Sequence, residues 1–144
     1  MNRAFRERWY PASLGAAAGL GSFALPGATQ LDIAKDLANP VLSILAIAVG
    51  FIAAALTILL TASDLPSLQT LRTGTRFNAL VEYHWQAIVS GMLAAVLSLW
   101  VIVACKTLDT WPQIVVFHVW AGCVVWAFTA FFRVVHLLRA LLRL

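Results

Sequence analysis

The sequence predicts an all-α integral membrane protein with four transmembrane helices, N-in and C-in, and three observations carry that expectation. Of the 144 residues, 62% are hydrophobic and 11% are charged, with a mean hydropathy of +0.88; soluble domains run near half apolar and about a quarter charged. Charged residues are missing from four stretches, Trp9 to Leu31, Leu37 to Ser63, Tyr83 to Cys105 and Thr110 to Phe132. Each exceeds the roughly 20 residues that carry a helix across about 30 Å of hydrocarbon. The cations then fall unevenly around these stretches. Arg3, Arg6, Arg8, Arg72, Arg76, Arg133, Arg139 and Arg143 share one side, and only Lys35 and Lys106 lie on the other. Cytoplasmic segments hold the Lys and Arg excess, so both termini are placed inside. The spans run over about 9–28, 41–63, 83–105 and 112–133 of a single domain, 1–144.

The first span is the least apolar. Its many Gly and Ala residues, preceded by three arginines, also fit a secretory signal. The cation count favours a true span: if this stretch stayed on the surface, Lys and Arg would divide evenly between the two sides and give no orientation. Aromatic residues at the ends agree, with Trp9 and Tyr10 before the first span, Tyr83 and Trp85 opening the third and Trp111 opening the fourth, where amphipathic rings favour headgroup depth. Between the first two spans, Leu31, Ala34, Leu37 and Ala38 recur at helical spacing, which predicts a short interfacial helix ended before Pro40. Asp64 to Glu82 forms the one sizeable cytoplasmic loop, and from Phe77 it should run straight into the third span, because no Pro or Gly interrupts it before Gly91. The short connection around Lys106 to Pro112 makes the last two spans an antiparallel hairpin.

Helices in lipid gain nothing by hiding apolar surface, so they associate through small residues and scarce polar groups. Gly15 and Gly19 form a GxxxG pair in the first span. Ala46, Gly50, Ala53, Thr57 and Thr61 share a face of the second, and Ala87, Gly91, Ala94, Ala95 and Ser98 share a face of the third. These stripes pack one subunit together, and their number leaves surface for copies of the same chain, so a homo-oligomer is expected.

No Ser/His/Asp set, phosphate loop, metal-ligand spacing or carboxylate pair occurs, so no enzyme and no cofactor is expected. Cys105 and Cys123 read as small buried hydrophobes. Three histidines invite a haem reading, but His118 lies near the outer end of the fourth span, and His84 and His136 lie at the inner headgroup level, where a solvated imidazole is expected. An ionisable residue inside the apolar zone points to function. His118, Gly122, Thr129, Arg133 and His136 follow at helical steps and give the fourth span one polar edge. Either His118 bonds a neighbouring helix, or the edge lines a water-filled path together with Thr57 and Thr61. Past Phe132 the helix continues as RVVHLLRALLRL, with Arg133, His136, Arg139 and Arg143 on one stripe. Such a basic amphipathic tail anchors to anionic lipid or docks a cytoplasmic partner. The net charge of +4 is thereby a membrane feature and implies no nucleic acid.

The segment VLSILAIAVGFIAAALTILLTASD, the cytoplasmic loop with Arg72 and Arg76, and four spans on so short a chain together resemble the RexB family of phage-exclusion membrane proteins, and more loosely other small multi-span effectors of bacterial anti-phage systems. The resemblance implies an inner-membrane ion channel, triggered by a cytoplasmic sensor during infection, that collapses the membrane potential. It carries no residue roles. Two other readings stay open, a holin-like lysis protein and a non-conducting membrane anchor or accessory subunit of a larger complex.

Overall fold

The computed structural model describes residues 3–61, 75–104 and 111–141. They form four α-helices, α1 (Arg3–Gly21), α2 (Gly27–Thr61), α3 (Thr75–Ala104) and α4 (Trp111–Leu141), with one 3-10 turn at Ser22–Ala24. Three of the helices are long and apolar enough to cross a membrane, over Asp32–Thr61, Phe77–Val103 and Trp111–Arg139. α1 is not among them, because its arginines and its Gly/Ala run dilute its hydropathy.

Two boundaries differ from the sequence reading. The first helix ends at Gly21 and not near residue 28. Leu25 is extended and Pro26 follows it. The Leu25 N–H donates to the Ser22 carbonyl at 3.1 Å and the Gln30 N–H to that of Pro26 at 3.1 Å. The buried Gln30 side chain also donates to the Leu25 carbonyl at 2.8 Å, so the turn is held from both sides. The expected interfacial helix is no separate element either. α2 runs unbroken through Pro40. A proline frees the carbonyl four residues back, here that of Asp36, and both residues are exposed, so the freed oxygen lies at the surface where it is least costly.

The helices pack as a series, α1 on α4, α4 on α3 and α3 on α2, while α1 and α2 share no packed face. The contacts among α2, α3 and α4 follow rows whose buried residues recur at steps of three, four or seven. α2 presents Ala34, Ala38, Leu45 and Ile52, α3 presents His84, Ala87, Ala94, Ser98 and Val101, and α4 presents Phe117, Trp120, Ala127 and Val134, all buried. That spacing belongs to helices crossing at a shallow left-handed angle. Gly91 fits between Val49 and Phe131, so the small stripe of the third span packs within the chain.

The surface is apolar, and the interior holds Ser and His side chains beside Leu45, Ile52, Phe117 and Trp120. Ile47 and Phe132 are 74% and 75% exposed, while Ser90, Ser98, His84 and His118 are at most 4% exposed. A protein that displays its Ile and Phe and buries Ser and His is arranged for hydrocarbon surroundings.

Candidate functional site

Polar side chains gather in three places. The first is the contact of α1 with α4, where the two backbones nearly touch. A Cβ on Gly15 would stand 2.6 Å from the Gly122 carbonyl oxygen, and one on Gly19 would stand 3.0 Å from the His118 carbonyl oxygen. This approach brings Ser22 to His118, with Oγ and Nδ1 2.5 Å apart. Phe23 stacks on the imidazole with centroids 3.5 Å apart, and Phe117 meets its edge. Thr129 lies in the same contact. Its hydroxyl reaches the Val125 and Trp126 carbonyls at 2.9 Å each, and the Pro11 carbonyl of α1 is 3.5 Å away.

The second place is the other end of α4. The Arg133 guanidinium lies 3.3 Å from the centroid of the Tyr83 ring, and both terminal nitrogens are buried without an acceptor. His84, expected to be solvated, is fully buried. It occupies the inward row of α3, three residues before Ala87, and that spacing was the signal that depth alone concealed. Its Nδ1 bonds the Leu80 carbonyl at 2.8 Å. His136 and Arg139, farther along α4, are exposed. Arg143 lies outside the described residues, as do Cys105, Arg72 and Lys106; Cys123 is a half-buried free thiol.

The third place is the outer face of α2. Ala46, Gly50, Thr57 and Thr61 are exposed, and Asn39 and Ser43 extend the stripe. From Asn39 to Thr61 it is about 33 Å long at the helical rise. A Cβ on Gly50 would meet nothing within 4 Å. The hydroxyl protons turn inward: Ser43 donates to the Asn39 carbonyl at 3.1 Å, Thr57 to that of Ala53 at 2.9 Å and Thr61 to that of Thr57 at 2.8 Å.

Thr57 and Thr61 therefore do not meet His118 and Thr129. Of the polar edge of α4, His118, Gly122 and Thr129 pack on α1 while Arg133 lies on Tyr83 of α3, and α2 lies at the far end of the helix series. Among the described residues, no three His, Cys, Asp or Glu side chains gather as a metal site. Asn39 and Ser43 were hidden in the sequence by Pro40, which reads as a boundary. No protein-family model, no curated protein and no solved structure matches this chain.

Proposed function

We propose that this chain is a four-span protein of the bacterial inner membrane, N-in and C-in, whose copies assemble into an ion-conducting unit of an anti-phage system. The observation that carries conduction is the exposed α2 stripe. Polar groups at membrane depth are costly unless they meet protein or water, and copies arranged around an axis would align Asn39, Ser43, Gly50, Thr57 and Thr61 along one route. The core of a single copy is filled by Leu45, Ile52, Ala87 and Ala94, so the route belongs to the assembly. With their protons committed to backbone carbonyls, the Ser43 and Thr57 hydroxyls offer oxygen acceptors, which suit cations. Arg133, which would favour anions at an open mouth, is turned onto Tyr83.

Four crossings are supported by the course of α1. It runs antiparallel to α4, with Pro11 beside Thr129, Gly15 beside Gly122 and Ser22 beside His118, and thus shares the depth of a helix long enough to span. The anti-phage role rests on the RexB resemblance of the second span and its flank. A cytoplasmic sensor, reached through the basic end of α4, belongs to the same reading.

The test is a potential-sensitive dye in cells during induced expression, with and without the neighbouring genes and an infecting phage. Wild type should depolarise the cells. Ser43→Leu and Thr57→Leu should suppress the signal at equal membrane abundance, whereas Thr129→Leu, which changes a residue packed on α1, should suppress it only as far as it lowers abundance. Equal depolarisation by wild type and both α2 variants would remove α2 from the path. Wild type that never depolarises cells would favour the accessory subunit.

A further inference from the structure

The contact of α1 with α4 carries an open groove of about 460 Å³, within the range of small-molecule sites. The two helices run antiparallel, so Phe23 marks one end of the groove and Ala12 and Trp126 the other, with Ala16, Gly19 and Gly122 between them. No charged residue lines it, so an occupant must be apolar along this stretch. Ala12 and Phe23 lie about 17 Å apart at the helical rise. One leaflet supplies about half of a roughly 30 Å hydrocarbon core, so the groove is as long as an acyl tail is deep.

Charge decides which leaflet supplies the tail. One turn back from Ala12 along α1 is Arg8, and two turns on from Trp126 along α4 is Arg133. Both rows therefore end in a cation beyond the same end of the groove. Trp9 and Tyr10 stand at that level, 54% and 57% exposed, as rings at headgroup depth do. Glu7 lies nine residues before Ala16, which puts it on the opposite side of α1. The Arg133 guanidinium is committed to the Tyr83 ring and its terminal nitrogens have no acceptor, so it adds positive potential without reaching out. Beyond the Phe23 end, neither α1 nor α4 carries a Lys or Arg.

We propose that this groove holds one tail of an anionic phospholipid, with its phosphate at Arg8 and the tail running along Ala16 toward Phe23. The leaflet is the inner one, which rests on the N-in orientation proposed above; conduction is not required. A cation at the surface draws an anionic head, and a row of small residues lets the chain lie close against two backbones. Arg139, well round α4 from Trp126, takes no part, so the site is distinct from the general attraction of the basic tail.

The test uses the full chain in mild detergent, stripped of lipid, and native mass spectrometry with dipalmitoyl phosphatidylglycerol or dipalmitoyl phosphatidylcholine, which share tails and differ in head charge. Wild type should hold one phosphatidylglycerol per chain at least about tenfold more tightly than phosphatidylcholine, and Arg8→Gln should cut that preference about fivefold, the share of one cation near an anionic head. Arg139→Gln should leave it unchanged. Ala16→Phe, at an exposed position in the groove, should abolish retention of both lipids with the melting temperature kept. Equal retention of the two lipids by wild type would overturn the proposal. So would an Arg139→Gln loss as large as that of Arg8→Gln, the mark of diffuse attraction, or wild-type retention by Ala16→Phe. Thiol labelling in intact cells reads orientation separately, so a reversed chain and an empty groove are told apart.

Discussion

At Ser98 one hydroxyl serves two helices. It donates to the Ala94 carbonyl at 2.8 Å and accepts the indole N–H of Trp120 at 2.8 Å, so the Ser98 hydroxyl and the Trp120 indole N–H are both satisfied there. Ser98→Ala strands the Trp120 donor in a buried place, which costs about 1–3 kcal/mol. Ser90, equally buried, bonds only the Ala87 carbonyl of its own helix, and Ser90→Ala should cost less than about 1 kcal/mol. Unfolding in mixed micelles measures both, and equal losses would show that the relay contributes nothing between the helices. In the sequence Ser98 was legible as a small packing residue, but the relay was not. A membrane tryptophan reads as an interfacial anchor, and only the row Phe117, Trp120, Ala127 turns it inward. Ser22 escaped for a similar reason. Its partner is 96 positions away, and no local spacing joins the two.

Among whole helices, the glycines divide into two groups that one substitution separates. A side chain at Gly122 would stand 2.9 Å from the Gly15 carbonyl oxygen, a backbone atom that cannot turn aside. Gly122→Leu should therefore lower the stability of the monomeric fold by more than the about 1–3 kcal/mol typical of an overfilled core. Gly50 faces open space, so Gly50→Leu should leave the melting temperature of the chain unchanged and alter its mass in mild detergent. A wild type that already runs as a monomer there would remove the basis for assembly. Charge-free stretches of adequate length made α2, α3 and α4 legible, since nothing else satisfies a backbone in hydrocarbon. Their joins were less so. Pro40 reads as a stop and is tolerated inside α2, while Pro26 and Gly27 read as part of the first span and in fact lie beyond its helix, Gly27 opening α2. Of the candidate site, the Thr57 and Thr61 face was visible as a stripe. Its separation from His118 was not, because helix order in space is absent from helix order in sequence.

For the molecule as a whole, orientation is the quantity to measure. Lys35 and Asp36 are exposed while Ala34 beside them is 2% exposed, so the end of α2 proposed to lie outside is best reported by Asp36→Cys in a background with Cys105 and Cys123 replaced. An impermeant maleimide should label it in intact cells, and should label Arg139→Cys, at an exposed position on the side proposed to be cytoplasmic, only after permeabilisation. Protection of Asp36→Cys would reverse or abolish the proposed topology. The order of the helices has one more consequence, which concerns time. α1 is made first, is the least apolar, and finds its partner only on α4, across the 96 positions that separate Ser22 from His118. At roughly 5–20 residues per second of synthesis, the first helix waits about 5–20 s for the surface that receives its glycines. Through that interval α2 and α3 are already able to pair, so the ribosome delivers a helical hairpin before it delivers the bundle, and a chain halted before α4 leaves α1 without its mate.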